Sequence, residues 1–455
     1  MPRLRPDASG SLSVFDAVTI MVGLVIGVGV FRTPPLVAAN VESEFALVAV
    51  WVIGGVVTLL GALCYAELAA AHPNTGGEYH FLSRAYGRPV ALLFGWARGT
   101  VIQTGAIATV AFVLGDYAAQ LFPIGAYSAA LWAALSIIAL TAVNVVGTLP
   151  GKRLQVVMTL LEVGSLVAII VLGLFFRPDA PAAPPSSPAS MSAAPGLAMI
   201  FVLLTYGGWN EAAYLAGELK NPSRNIVRVL LIGTVILTVF YVLANIALLS
   251  VLSLDGLRGS QAVAADMMNR VAGPSGGVIV SLAIVIAALS TLNATIFTGA
   301  RVFHAMGRDL TLLPSVGEWN ERGKTPANGL IAQGAVALAL VALGTAARDG
   351  FKTMVDYTAP VFWFFLLLTA LSLFVLRWRE PDRVLPFRVP LYPVTPILFC
   401  ISCAYMLQAS LAYTGVGALI GILVLAAGTP LLLFRRERSD LIPGPDELAA
   451  RTSNK

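Results

Sequence analysis

The sequence predicts an all-α, polytopic membrane protein of twelve transmembrane helices, and three observations carry that expectation. Of its 455 residues, 57% are hydrophobic and only 12% charged, with mean hydropathy +0.82. That is more apolar surface than a water-soluble fold hides. Twelve apolar runs recur along the chain, most of them near the roughly 20 residues that cross a bilayer. The 29 lysines and arginines are also sorted between the connecting segments. With both termini placed in the cytoplasm, the outer segments hold only Arg177, Arg258, Arg270, Arg348 and Lys352. Arg32 and Arg98 fall within spans, and the remaining 22 lie inside. The positive-inside rule fixes the orientation on that asymmetry. The net charge of +5 therefore reports topology, not a nucleic-acid partner.

The polar start, residues 1–13, leads directly into the first run without a small-residue cleavage site, the pattern of an uncleaved start. Span one, 14–39, reads VFDAVTIMVGLVIGVGVFRTPPLVAA. It is long enough to cross, yet Gly27 and Gly29 flank Val28 at its middle and Pro34 and Pro35 follow. Glycine costs a helix about 1 kcal/mol against alanine, so an unwound turn is expected here. Two readings are open: a main-chain binding site lining a cavity, or close approach of a neighbouring helix.

Span two, 45–71, ends in CYAELAAAHPNTGGEYHFLSRAYG, whose Pro-Asn and Gly-Gly signals read as an inner loop. Glu67, near the helix end, reads as structural in preference to the other open reading, part of an inner gate. Span three, 90–116, carries Arg98, Gln103 and Asp116, and such residues in a span face the protein interior. Arg98 is close enough to the inner interface to snorkel, which leaves Gln103 to line a cavity. Span four covers 128–147. Span five, 154–176, contains one carboxylate, Glu162, with no basic residue beside it on the helix. Stranded in lipid it costs a few kcal/mol or binds a proton. A helix-packing hydrogen bond from the protonated acid and a proton or cation relay are both open.

The outer loop 177–196 is Pro-rich and reads as an extended linker. Span six, 197–219, is again broken at mid-depth, by Gly207 and Gly208. Spans seven to twelve follow at 227–252, 277–304, 329–346, 353–376, 393–412 and 416–434. Cys64, Cys400 and Cys403 lie in spans and read as buried thiols. The histidines His72, His80 and His304 are not clustered, and no metal or cofactor is implied.

Five spans separate the two broken helices, so the second enters from the opposite side. Two Gly-broken helices in oppositely oriented halves point to an inverted-repeat transporter with a midplane site. Span one ends its first half near Val25 and Ile26, with carbonyls free, and restarts at Val28, Gly29 and Val30, with N–H groups free. Span six ends its first half near Leu204 and Thr205 and restarts after Gly208. Helix N-termini favour an anion and C-termini a cation. A ligand with a carboxylate and an ammonium one carbon apart, an α-amino acid, satisfies both.

Four stretches then match a known family: GLVIGVGVFRTP in span one, YGGWNEAAYLAGELKNPSRNI in span six, LNATIFTGARVFHAMGRDLTLLP from span eight, and VFWFFLLLTALSLFVLRWREPDRVLPFRVPLYP from span ten. The chain resembles amino-acid permeases of the amino acid–polyamine–organocation superfamily, in pattern nearest the L-type amino acid transporter branch. The resemblance implies a LeuT-type fold of two five-helix inverted repeats plus two helices, working by alternating access. It implies carboxylate binding by the N–H groups of Gly27, Val28 and Gly29, and ammonium binding by the carbonyls of Val25, Leu204 and Gly207. Ile26, Gln103, Thr205, Tyr206 and Asn293 complete the expected substrate site. Val28 stands where relatives often have serine. Leu204 stands where they often have a gating phenylalanine, so the gate is expected on Tyr206, Trp209 or Phe362. Glu162 occupies the position of a span-five lysine, with the charge reversed, and is expected to couple or gate through a proton. The loop LFPIGAYS lacks a cysteine, so no disulfide-linked heavy subunit is implied.

The expected organisation is a cytoplasmic N-terminus (1–13), a first repeat (14–176), the outer loop (177–196), a second repeat (197–376), helices eleven and twelve (377–434) and a cytoplasmic tail (435–455), in a cell (inner) membrane. The expected activity is secondary transport of α-amino acids, as exchanger or proton-coupled symporter. A polyamine or organic-cation antiporter using Glu162 or Glu211 is the alternative, although Glu211 reads rather as a helix-cap residue. A non-transporting amino-acid sensor is a further alternative. No G-x-S-x-G, P-loop or His/Cys metal spacing suggests an enzyme or ATP-driven pump.

Overall fold

The computed structural model describes residues 13–74, 76–146, 152–176, 194–309, 315, 318, 325–347, 349–413 and 416–430. The expected polar start up to residue 12, most of the Pro-rich outer loop, the last four residues of span twelve (431–434) and the tail 435–455 lie outside the described residues. Within them all regular structure is helical. Among the described residues, eight helical segments are long and apolar enough to cross a membrane, the third span counted as one from Arg88 to Leu121.

The first span divides into α1 (Val14–Val25), a 3₁₀ turn (Val28–Phe31) and α2 (Thr33–Ala38). A capping box starts α1: the Ser13 hydroxyl accepts from the N–H of Asp16, whose carboxylate accepts from Ser13 N–H, satisfying two donors that a helix start leaves free. Then come α3 (Glu44–Ala71) and α4 (Gly77–Tyr86). The inner loop expected after span two is thus partly a helix. Its Phe81, Leu82 and Ala85 are buried, a helical spacing masked in the sequence by turn residues. The third span is α5 (Arg88–Ala97), a π turn (Arg98–Ile102) and α6 (Gln103–Leu121). Spans four and five are α7 (Ser128–Val146) and α8 (Lys152–Phe175).

The sixth span again divides, into α9 (Pro195–Tyr206) and a 3₁₀ helix (Trp209–Glu218). The remaining helices are α10 (Pro222–Arg258), α11 (Val263–Asp309), α12 (Ala327–Ala346), α13 (Gly350–Arg379), α14 (Val394–Tyr413) and α15 (Val416–Ala427). Two of these turn corners, α10 at Ser253 and α11 at Gly273 next to Pro274. The corners account for the sequence placing spans seven and eight inside longer helices.

The broken helices sit against α3 and α10. Gly54 allows α9 to approach α3 and Gly55 allows α10 to do so, since an added Cβ would come within 2.4 Å of Val202 Cγ1 and 2.3 Å of Thr238 Cγ2 respectively. Behind the breaks Trp51, Tyr206 and Tyr241 form a buried aromatic cluster, with Tyr206 and Tyr241 ring centres 5.0 Å apart. All three cysteines are free thiols.

Candidate substrate site

Both interruptions fall at the glycines. In span one Ile26 leaves helical geometry (φ −69°, ψ 77°) and Gly27 is fully extended (φ −100°, ψ −178°). In span six Gly207 is extended and Gly208 is left-handed, φ 99° and ψ −17°, a conformation that disfavours a Cβ. The two breaks are neighbours. Thr33 and Thr205 hydroxyls are 2.7 Å apart in the interior, and a Cβ on Gly29 would lie 3.7 Å from Thr205 Cγ2.

Which peptide groups remain free follows from the hydrogen bonds. As the opening residues of the 3₁₀ turn, Val28 and Gly29 have N–H groups without an intrahelical acceptor. The N–H of Gly27 is already used, donating to the Val25 carbonyl at 2.7 Å. That carbonyl also accepts from the Tyr241 hydroxyl at 2.6 Å. A carbonyl oxygen has two lone pairs, so Val25, expected to meet an ammonium, is saturated here. Leu204 accepts once, from Gly207 N–H at 2.9 Å, and keeps a lone pair. Ile26 and Thr205 add carbonyls from the ends of α1 and α9. Gly27, Gly29, Leu204 and Gly207 are half-buried, so the main chain at both breaks is accessible.

The other expected site residues lie on several different helices. Tyr206 is fully buried and donates to the Trp51 carbonyl at 3.0 Å, behind the break. Trp209 stacks edge-on with Tyr65 (4.8 Å) and Phe399 (6.2 Å), between α3 and α14. Gln103 donates to the Thr295 carbonyl of α11 at 2.9 Å. Asn293 accepts from Asn144 of α7 at 2.7 Å. Phe362 is half-buried against Trp363. Glu162 is 3% exposed, and its Oε1 has no hydrogen-bond partner. It lies within electrostatic reach of Tyr241, the residue bonded to the end of α1.

An ion pair flanks the breaks on each side. Beyond the span-one break, Arg32 Nε is 3.1 Å from Asp116 Oδ2, though not aligned for a hydrogen bond. The pair borders a cavity of about 350 Å³ that Phe112, Asp349 and Phe351 also line. On the opposite side Arg98 does not snorkel. Its Nη2 donates to both Glu211 oxygens at 2.7 Å and its Nη1 to the Tyr214 hydroxyl at 2.9 Å. Glu78 of α4 stands 3.6 Å from Arg98 and accepts from Tyr65 (2.5 Å) and Asn210 (2.9 Å). Glu211, read from the sequence as a cap, makes no capping bond; Arg98 holds it. Sequence reasoning missed the Glu78 cluster, in which Asn210 and Tyr214 are more than 100 residues away from Glu78.

Two membrane helices broken in opposite directions and joined at their breaks define a broken-helix transport protein. A family model described as amino acid permease matches residues 12–428, and the chain belongs to that family, with the all-helical LeuT-type fold expected of it. It is 31% identical to the b(0,+)-type amino acid transporter 1 of Mus musculus over 406 residues, 88% of this chain and 82% of the mouse protein. It is 28% identical to the serine/threonine exchanger SteT of Bacillus subtilis (strain 168) over 434 residues, 94% of this chain and 97% of that one. It is also 28% identical to the large neutral amino acids transporter small subunit 2 of Mus musculus, covering 92% and 80% of the two chains.

Proposed function

We propose that this protein is a secondary transporter that moves α-amino acids across a cell membrane by alternating access, as an exchanger or a proton-coupled symporter, with both termini cytoplasmic. The observation that carries the reading is the meeting of the two breaks. The free N–H groups of Val28 and Gly29 suit a carboxylate, and the remaining carbonyls of Ile26, Leu204 and Thr205 suit an ammonium. Membership of the amino acid permease family, and relatives named as amino acid transporters and a serine/threonine exchanger, support it. Residues 14–176 and 197–376 are read as two inverted repeats, with 377–434 as the two added helices. Phe362 and Trp209 are read as gating residues and Glu162 as a protonatable coupling residue.

A polyamine antiporter would draw on Glu211 or Glu162. Glu211 is committed to Arg98, which leaves Glu162 alone to hold a second ammonium. The test is uptake by purified protein in liposomes against a panel of labelled amino acids, with and without internal amino acid and a pH gradient. Saturable uptake of at least one amino acid is expected. Binding without uptake under every condition would leave a sensor in its place.

A further inference from the structure

Away from the helix breaks, the adjacent ends of α3 and α13 enclose a cavity of about 180 Å³. Its wall divides by chemistry. Leu68, Leu373 and Leu376 form an apolar part, and Arg377, Arg383, Arg388 and His72 a basic part.

Two carboxylates also line it, and both are engaged. Glu67 accepts two bonds of 2.6 Å from Arg377 and one of 2.6 Å from the N–H of Val389. Glu380 accepts from Arg84 at 2.7 Å and Arg383 at 3.0 Å. Arg383 donates as well to the carbonyl of Ala71 at 3.0 Å. Two donors remain. Arg388 forms no ion pair among the described residues. The Nδ1 of His72, whose side chain is 2% exposed, has no hydrogen-bond partner. Its Nε2 is 3.9 Å from Glu380, beyond hydrogen-bond length, so the tautomer with the proton on Nδ1 is available. A cation entering the cavity would find every carboxylate already paired. An anion finds the unpaired guanidinium of Arg388, with the unpartnered N–H of His72 buried in the wall.

The surroundings identify the anion's carrier. Trp378, Val384 and Leu391, within fourteen residues of one another in sequence, are 81%, 83% and 79% exposed. Exposed tryptophan and aliphatic side chains interleaved with arginines mark the level of lipid headgroups. Basic pockets between membrane helices at that level recognise acidic headgroups. We propose that this cavity binds the phosphate of an anionic phospholipid, through Arg388 and His72, at the joint between α3 and α13.

The probe is phosphatidylglycerol. Purified full-length protein is equilibrated in mixed micelles with phosphatidylglycerol or phosphatidylcholine, and retained lipid is counted by native mass spectrometry. Selective retention of phosphatidylglycerol is expected, weakened about fivefold in Arg388→Gln, the effect of one basic residue at an anionic headgroup. Arg379→Gln removes an equal charge from the last residue of α13, outside the cavity, and leaves retention unchanged. Equal retention by the parent and Arg388→Gln overturns the proposal, as does an equal loss in Arg379→Gln. A thermal midpoint raised by inorganic phosphate, without retained phosphatidylglycerol, overturns the lipid assignment. None of these readouts depends on transport.

Discussion

The hydroxyls of Thr33 and Thr205 lie 2.7 Å apart and tie the two interrupted helices together at their breaks. Thr33 also reaches the Gly29 carbonyl at 2.9 Å, and Thr205 the Phe201 carbonyl at 2.8 Å. Each hydroxyl carries one proton, so two protons serve three contacts. One contact to a backbone carbonyl is given up whenever the threonines bond to each other. The junction therefore has two nearly equivalent hydrogen-bonded arrangements without any change of packing.

Removing either hydroxyl while keeping the branch tests this junction. Thr205→Val is expected to cost about 1 kcal/mol, the net worth of one hydrogen bond, seen as a lowered thermal midpoint in detergent. Thr33→Val should do the same. The double variant should lose less than the sum, because the residues share one contact. Strict additivity would show that the 2.7 Å contact contributes nothing.

Two substitutions at Gly29 are expected to separate binding from folding. A methyl placed there makes ordinary contacts at 3.7–3.8 Å with Thr205, so Gly29→Ala is expected to fold normally. Gly29→Val adds bulk beside the free N–H groups of Val28 and Gly29 and should abolish uptake with expression retained. Wild-type uptake by Gly29→Val would remove the main chain of span one from the site.

Glu162 has a buried oxygen without a partner and no cation paired with it among the described residues. Glu162→Gln keeps shape and hydrogen-bonding capacity but cannot exchange a proton. Its uptake is expected to be flat across a pH series over which the parent varies. A variant as steeply pH-dependent as the parent would exclude Glu162 as the coupling group.

His72, just past the end of α3, is held down to about 4 from the ordinary 6.5. Burial is the larger cause and the Arg383 guanidinium the next, with Glu380 opposing them. The unfolded chain then takes up the proton more readily than the folded one. This contribution to stability is complete above pH 6.5 and is lost progressively as pH falls toward 4. Glu380 acts in the same direction: burial would raise it, but Arg84, His72 and Arg383 together hold it below its ordinary value. Thermal midpoints should therefore drop through that acid range, and His72→Gln should make the drop shallower.

The helix breaks were legible in the sequence because glycine pairs contradict an otherwise continuous apolar helix, a local conflict that needs no knowledge of neighbours. Arg98 was not. A sequence gives an arginine near the interface no reason to prefer Glu211, 113 residues away, over the headgroups. The saturation of the Val25 carbonyl was also hidden, because its second donor, Tyr241, is 216 residues distant. Local conformational cost is written in a few adjacent letters, whereas the choice among long-range partners is settled only by packing.

The free N–H groups at Val28 and Gly29 also bear on inheritance. Codon changes alter side chains, and short of proline none of them deletes a peptide N–H. Descendants of such a chain can exchange residues around the cargo's variable end and drift toward new selectivities. On the proposed reading their grip on the shared head group rests on donors that no side-chain change deletes, so only bulk that covers them, as at Gly29, weakens it.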